Sequence, residues 1–353
     1  MSWLTWRQFR VPALVGVAAL ALFTAYVVHL GLDVRDAEDA YRAQCAGRSD
    51  CPRLAQLAVD YENTSLYLAA LLAPVPGLLG MFWGAPLVAR ELEAGTQRLV
   101  WNQSVTRRRW LAVKLTVVGL AAMAVTGVAA ALVTWAMSPV DRFADNRFST
   151  VLFGARNLAP VAYAVFAVVL GVLIGLVVRR TVPAMAVTAL VFVVVQFLVP
   201  NLVRPHLLPA EHVTLPMTAS AINQARGLGG ITGAPVVKGL TLPDAWITDV
   251  SELRTRDGTA LDRAIFDRCF TDPPRTDPPR TDPPRTDPPR TGAAEGPFGD
   301  TATCLADHDL HVDVAYQPVG RYWSVQWLES GCYLVLAGLL AAVAFRRVQR
   351  RPS

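Results

Sequence analysis

Charge is what this sequence has least of. Only 17 % of its 353 residues are Asp, Glu, Lys or Arg, where soluble domains carry about 25 %, and Lys114 and Lys238 are the only lysines. Cysteine is scarce too, since five in a chain of this length exclude a disulfide-dense secreted scaffold. No Gly-x-x-x-x-Gly-Lys-Ser/Thr phosphate loop occurs, so no ATP-binding loop of that kind is expected in the chain, nor an enzymatic activity. The excess is apolar: 53 % hydrophobic residues, with a mean hydropathy of +0.34, exclude intrinsic disorder. The net charge of +5 hints at nucleic-acid binding only until its distribution along the chain is read.

A bilayer core of about 30 Å needs roughly 20 apolar residues in a helix. Runs of that kind cover Val11 to Leu30, Leu66 to Ala89 (with Pro74, Pro76 and Pro86), and Leu111 to Met137. Leu158 to Val203 is long enough for a hairpin of two spans, split by Arg179 and Arg180 into Leu158 to Val178 and Val182 to Val203. Ser330 to Phe345 is short unless it extends back through Tyr322, Trp323 and Trp327, which suit an interfacial aromatic belt. The expected fold is an all-α polytopic membrane protein of six transmembrane helices. A cleaved signal peptide is the alternative for the first run, but an apolar stretch of about 20 residues exceeds the usual h-region of 7–15. Lys114, near a span end, is expected to snorkel.

The positive-inside rule orients these spans. The N-terminus, the loop between spans 2 and 3, Arg179 with Arg180, and the C-terminus together carry +12, while the opposite side carries −7. Both termini are therefore expected in the cytoplasm, with residues 204–325 forming a large extracytoplasmic loop domain. Residues 1–10 read as an N-terminal interfacial helix, 11–203 as spans 1 to 5, and 326–353 as span 6 with a basic tail. Within the outer loop, residues 271–290 repeat Thr-Asp-Pro-Pro-Arg four times. Such a run has nothing to bury and reads as a polyproline-like spacer, or as a neutral expansion in a tolerant loop. Four cysteines fall on this side, and local bridges Cys45–Cys51 and Cys269–Cys304 are the simplest pairing, leaving Cys332 in span 6. His308 and His311 with Asp307, Asp309 and Asp313 cluster in sequence, but solvated loops often combine these types and no metal is expected.

The loop between spans 2 and 3, residues 90–109, carries the functional argument. Arg90, Glu91 and Glu93 continue the preceding helix, Gly95 can end it in a left-handed conformation, and Thr96 can cap a short second helix. Arg98 and Leu99 lie on that second helix, and Arg107 to Arg109 stand at headgroup level before span 3. The result is a helical elbow able to meet a cytosolic partner.

This loop, Arg90-Glu-x-Glu-x-Gly-Thr96 followed by Leu99 and the basic triplet, resembles the coupling stretch of ABC-2 type (type V exporter-like) ABC transporter permease subunits. Trp3-Leu-Thr-Trp-Arg-Gln-Phe-Arg10 is similar to their N-terminal interfacial helix, which implies that Trp3, Trp6, Arg7 and Arg10 anchor at the interface. The resemblance covers the membrane portion and not the outer loop. It implies a cytosolic ABC ATPase subunit that binds ATP and Mg, a second permease chain, and a coupling role for Arg90, Glu91, Glu93, Gly95, Thr96, Arg98 and Leu99. It also implies export across the cell membrane, in a chain whose arginine-rich composition suits a bacterium. Nucleic acid is not an expected partner. A sensor or scaffold with an outer binding domain is the alternative, as is an ion-gradient transporter, which the shortage of mid-span ionisable residues disfavours.

Overall fold

Six helices are long and apolar enough to cross a membrane, spans 1 to 6: Arg10–Gln44, Gln56–Glu93, Arg107–Met137, Ala159–Val178, Thr181–His206 and Val319–Gln349. They are seen in a computed structural model that describes residues 2–45, 52–95, 106–142, 148–230, 233–242, 245–271 and 296–350, without the side chains of 2–9 and 52–55. The chain divides into two compact units, residues 1–207 with 322–353, and residues 208–321.

In the first unit, helix α1 runs unbroken over Ser2–Gln44. Residues 2–10 therefore share one continuous helix with span 1. The side chains of Trp3, Trp6 and Arg7 lie outside the described residues, and Arg10 is exposed. The helix also passes Leu30, where the apolar run stops. Beyond that point it is held by i,i+4 pairs His29–Asp33 and Arg42–Glu38, and by Arg35, which donates to the Trp135 carbonyl at 2.9 Å and lies 4.0 Å from its ring centroid.

Span 2 is broken as its prolines require. It comprises α2 (Pro52–Leu72), α3 (Val75–Leu79), one π-helical turn over Gly80–Gly84, and α4 (Ala85–Glu93). Span 3 is α5 (Arg107–Met137), capped by Thr106, whose hydroxyl accepts from the Arg109 N–H. A short α6 (Thr150–Ala155) leads to span 4, α7 (Ala159–Val178). Arg179 ends α7 with φ 59°, and α8 (Thr181–Leu198) starts span 5 two residues later. A π turn over Val199–Val203 and a 3-10 turn over Arg204–His206 finish that span. Span 6 is α12 (Tyr322–Gln349), which includes Tyr322, Trp323 and Trp327.

Helix α7 is the centre of this unit: 67 % of its most apolar stretch is buried, against 6 % in α1. Glycine explains the difference. Gly80 and Gly84 of the π turn lie one helical turn apart, as do Gly171 and Gly175 of α7, and the two pairs face each other. A Cβ at Gly80 would stand 2.5 Å from the Ala167 carbonyl oxygen, one at Gly84 2.6 Å from that of Val168, and one at Gly175 2.7 Å from that of Ala85. A Cβ at Gly171 would meet the Gly80 carbonyl oxygen. The backbones touch, so dispersion and close approach hold the helices where the lipid-like surroundings supply no hydrophobic drive.

The second unit, Leu208–Arg321, is mixed. Strands β1 (Glu211–Pro216), β5 (His311–Pro318) and β4 (Ala245–Val250) form an antiparallel sheet in the order β1-β5-β4, with a register shift between Ile247 and Asp249. Strands β2 (Gly227–Leu228) and β3 (Val237–Lys238) pair separately. Val312 and Val314 alternate inwards on β5 to meet Ile222 of α9 (Ala219–Gln224), Phe266 of α10 (Arg263–Thr271) and Leu305 of α11 (Gly299–Ala306). Cys269 and Cys304 form a disulfide that joins α10 to α11 and closes the segment containing the repeat. Residues 272–290 of that repeat lie outside the described residues, as does Cys51; Cys45 is disulfide-bonded. Cys332 is a free thiol.

Two outcomes test this packing. Gly80→Val and Gly171→Val should each cost about 1–3 kcal/mol by overpacking, read as a lower melting temperature in detergent, whereas Gly119→Ala, with open space around it, should gain up to about 1 kcal/mol. Replacing Cys269 and Cys304 by Ala should destabilise the second unit by about 2–5 kcal/mol, visible as faster limited proteolysis of residues 208–321.

Candidate functional site

The end of span 2 carries two carboxylates, Glu91 and Glu93, within one helical turn, and each finds a partner on another span. Glu91 is buried and pairs with the Lys114 ammonium of α5 at 2.7 Å. Lys114 also donates to the Leu87 carbonyl at 2.9 Å and lies 4.8 Å from the Trp110 ring centroid. The lysine is 2 % exposed and does not snorkel. A carboxylate and a carbonyl within reach satisfy the ammonium locally, so stretching to the interface has nothing to offer it.

Glu93 is exposed at the end of α4, and its Oε2 accepts from the backbone N–H of Thr181 at 2.9 Å and from the Thr181 hydroxyl at 2.7 Å. Thr181 is the first residue of α8, where N–H groups lack helical partners and the helix dipole is positive. A carboxylate from span 2 thus caps span 5. Gly95 follows with φ 68°, a left-handed conformation suited to glycine at a helix end. Arg90 is exposed beside these acids. Thr96, Arg98 and Leu99, the remaining residues of the elbow, lie outside the described residues.

At the other end of α7, about 20 Å away at 1.5 Å per residue, a second polar cluster joins spans 4, 5 and 6. Arg204 and Glu329 are fully buried: Nε donates to Oε2 at 2.5 Å and Nη2 to Oε1 at 3.0 Å. The Tyr163 hydroxyl of α7 also donates to Glu329 Oε1. Arg204 Nη1 has no hydrogen-bond partner, and the guanidinium sits 4.1 Å from the Phe153 ring centroid. Tyr163 packs 4.4 Å from Tyr333, whose hydroxyl donates to Gln196 of α8 at 3.1 Å. Gln326 accepts from the Ala159 N–H at 3.2 Å and donates to the Phe153 carbonyl at 3.2 Å, completing the start of α7.

Arg204 therefore lies within the last turns of span 5, buried against Glu329 of span 6. The unit boundaries fall at 208 and 321 instead of 204 and 325, because a charge that finds a buried partner no longer marks the edge of a span. Reading for uninterrupted apolar runs hides this pair. Its signal was available, as opposite charges at the adjoining ends of two spans. Tyr322 is likewise more than an interfacial anchor, since its hydroxyl accepts from Asn157 at 2.9 Å and its ring meets Phe148 and Phe153 edge-on. Trp323 and Trp327 are exposed one turn apart on α12.

Among the described residues, the metal-type grouping is Cys269, Cys304 and His308. Both sulfurs are committed to the disulfide, so the grouping offers one imidazole and no thiolate. Asp307, Asp309, His311 and Asp313 do not join it, and Asp313 instead accepts from Thr214 across β1 and β5.

Taken together, the second cluster holds the start of α7 to spans 5 and 6, while the first links span 2 to spans 3 and 5. A displacement of the tip of α4 is thereby tied to the start of α8. The family described as ABC-2 membrane transporter related matches residues 17–204, a stretch containing both glycine pairs, Glu91, Glu93 and Thr181. No curated protein and no solved structure matches the chain.

The Arg204–Glu329 cluster predicts a non-additive pair of variants. Arg204→Met should destabilise the membrane unit by about 3–5 kcal/mol because Glu329 is left buried and unpaired, and combining it with Glu329→Leu should recover most of the loss. Thermal unfolding of the purified single and double variants measures both.

Proposed function

The chain belongs to the ABC-2 membrane transporter related family, and we propose that it is the permease subunit of an ATP-driven transporter that exports a hydrophobic or amphipathic substrate. The ATPase is a separate cytosolic subunit that holds ATP and Mg, and a second permease chain, identical or different, completes the pathway. Both termini lie in the cytoplasm and residues 208–321 lie outside, in a bacterial plasma membrane. The +12 against −7 charge asymmetry supports that orientation, and the Cys269–Cys304 disulfide suits an oxidising compartment.

The observation that carries the reading is the contact from Glu93 to Thr181. In the proposed mechanism the ATPase docks on Arg90 and the elbow residues Thr96, Arg98 and Leu99. Closure of the ATPase pair then pushes on the tip of α4. Glu93 hands that movement to α8, Glu91 through Lys114 hands it to α5, and the π turn at Gly80–Gly84 is where span 2 can adjust against α7. The two glutamates thus act as links inside the permease, with Gly95 setting the angle of the elbow.

The ion-gradient alternative gains one observation, the ionisable Arg204–Glu329 pair between spans. Arg204 and Tyr163 already donate three hydrogen bonds to this carboxylate, which leaves one of its roughly four lone-pair sites for a travelling ion. The sensor or scaffold alternative differs in needing no ATPase.

The test is reconstitution in liposomes with an ATPase subunit encoded beside this chain. Glu93→Gln and Thr181→Ala should keep the ATPase bound and hydrolysing while transport falls roughly tenfold, as expected for loss of hydrogen bonds to a charged group. Undiminished transport in both variants would remove the coupling role, and failure of any such ATPase to bind the wild-type chain would favour the scaffold.

A further inference from the structure

Basic residues gather where span 3 begins and span 6 ends. Between α5 and α12 lies an open groove of about 600 Å³. Its mouth carries Arg108, Arg109 and Arg346, with Phe345 beside Arg346, and Ala112 and Ala342 lie one turn further along their helices. Helix α5 starts at Arg107 and α12 ends at Gln349, so both helices run from the arginines into their spans. Ala112 and Ala342 are about 5–6 Å deeper than the guanidinium-bearing residues at 1.5 Å per residue. The groove is therefore graded along the helix axes, cationic at the mouth and apolar below.

All three arginines are exposed, and the described lining contains no carboxylate. Arg108 is positioned by one bond, Nη2 to Gln349 Oε1 at 2.7 Å, which bridges the two helices and leaves other guanidinium N–H groups directed elsewhere. Planar guanidinium groups suit phosphate oxygens, with paired, charge-assisted donors. An acyl chain suits the apolar floor.

We infer that this groove binds an anionic phospholipid, its phosphate held by Arg108, Arg109 and Arg346 and the start of one acyl chain lying on Ala112, Ala342 and Phe345. The site requires only that spans 3 and 6 cross a bilayer, and it stands apart from the coupling reading. A free phosphate would satisfy the mouth and ignore the floor. A lipid in a micelle or bilayer meets both, and the graded lining favours it. Bound there, it would tie the basic end of span 6 to the start of span 3.

Native mass spectrometry of the full chain in neutral detergent, titrated with phosphatidylglycerol or phosphatidylcholine, tests the inference. Retention of phosphatidylglycerol over phosphatidylcholine is expected. Arg108→Gln with Arg346→Gln should weaken retention on the order of tenfold through lost charge-assisted contacts. Arg347→Gln with Arg350→Gln removes equal charge from the same helix end but outside the lining, and should change it by less than about twofold at 0.15 M salt, where distant charges are screened. Ala342→Trp, which keeps every charge and fills the floor, should also lose the lipid. Equal loss in the two arginine pairs would reduce the groove to general surface attraction. Displacement by millimolar inorganic phosphate, or full retention in Ala342→Trp, would make the occupant a soluble anion and overturn the lipid.

Discussion

The backbone contact between span 2 and span 4 is the constraint on which the membrane unit depends. Two glycine pairs, Gly80 with Gly84 and Gly171 with Gly175, let a π turn lie directly on α7, with no room for a Cβ on either side. Apolar bulk gains little between helices that are already surrounded by apolar material, so packing distance and satisfied polar groups decide which helices associate. That contact places α7 at the centre. It also brings α4, which follows the π turn, beside the end of α7 and the beginning of α8, where Glu93 reaches Thr181.

From this arrangement the polar clusters acquire their meaning. A largely uncharged bundle cannot bury an unpaired ion cheaply. Among the described residues, the ion pairs with both members buried run across helices: Glu91 with Lys114 between spans 2 and 3, and Arg204 with Glu329 between spans 5 and 6. Each pair specifies which helices meet and at what height. The Tyr163 hydroxyl and the Gln326 amide extend the second pair to α7. A permease must change shape without losing its helix register, and a rod held at its start by directional contacts, beside a span interrupted by prolines and a π turn, is suited to that. The second unit obeys different physics, with alternating strand burial, an apolar core and a covalent bridge between α10 and α11.

What was legible in the sequence were the quantities that composition and local chemistry control. Six apolar runs appeared as six helices, because a backbone without water must bond to itself. The Arg179–Arg180 break became the turn between spans 4 and 5, Gly95 took the left-handed conformation that ends α4, and Cys269 bonded Cys304 across the repeat. The helix of span 1 runs past Leu30, where the apolar run stops, because it is held there by the His29–Asp33 and Arg42–Glu38 contacts and by Arg35 on Trp135, which an apolar run does not register. Arg204 and Lys114 were misassigned for the same reason: a charge marks a span boundary only when it lacks a partner inside.

The sequence alone determined that this is a chain of six long apolar helices and the family to which it belongs, since hydropathy and residue spacing are local properties. Tertiary structure alone decided that Glu91 and Glu93 face their own bundle, that Arg204 belongs with Glu329, and that the glycine pairs of spans 2 and 4 face one another. Those relations join residues far apart in the chain, and only the packed helices bring their donors, acceptors and bare backbones within reach.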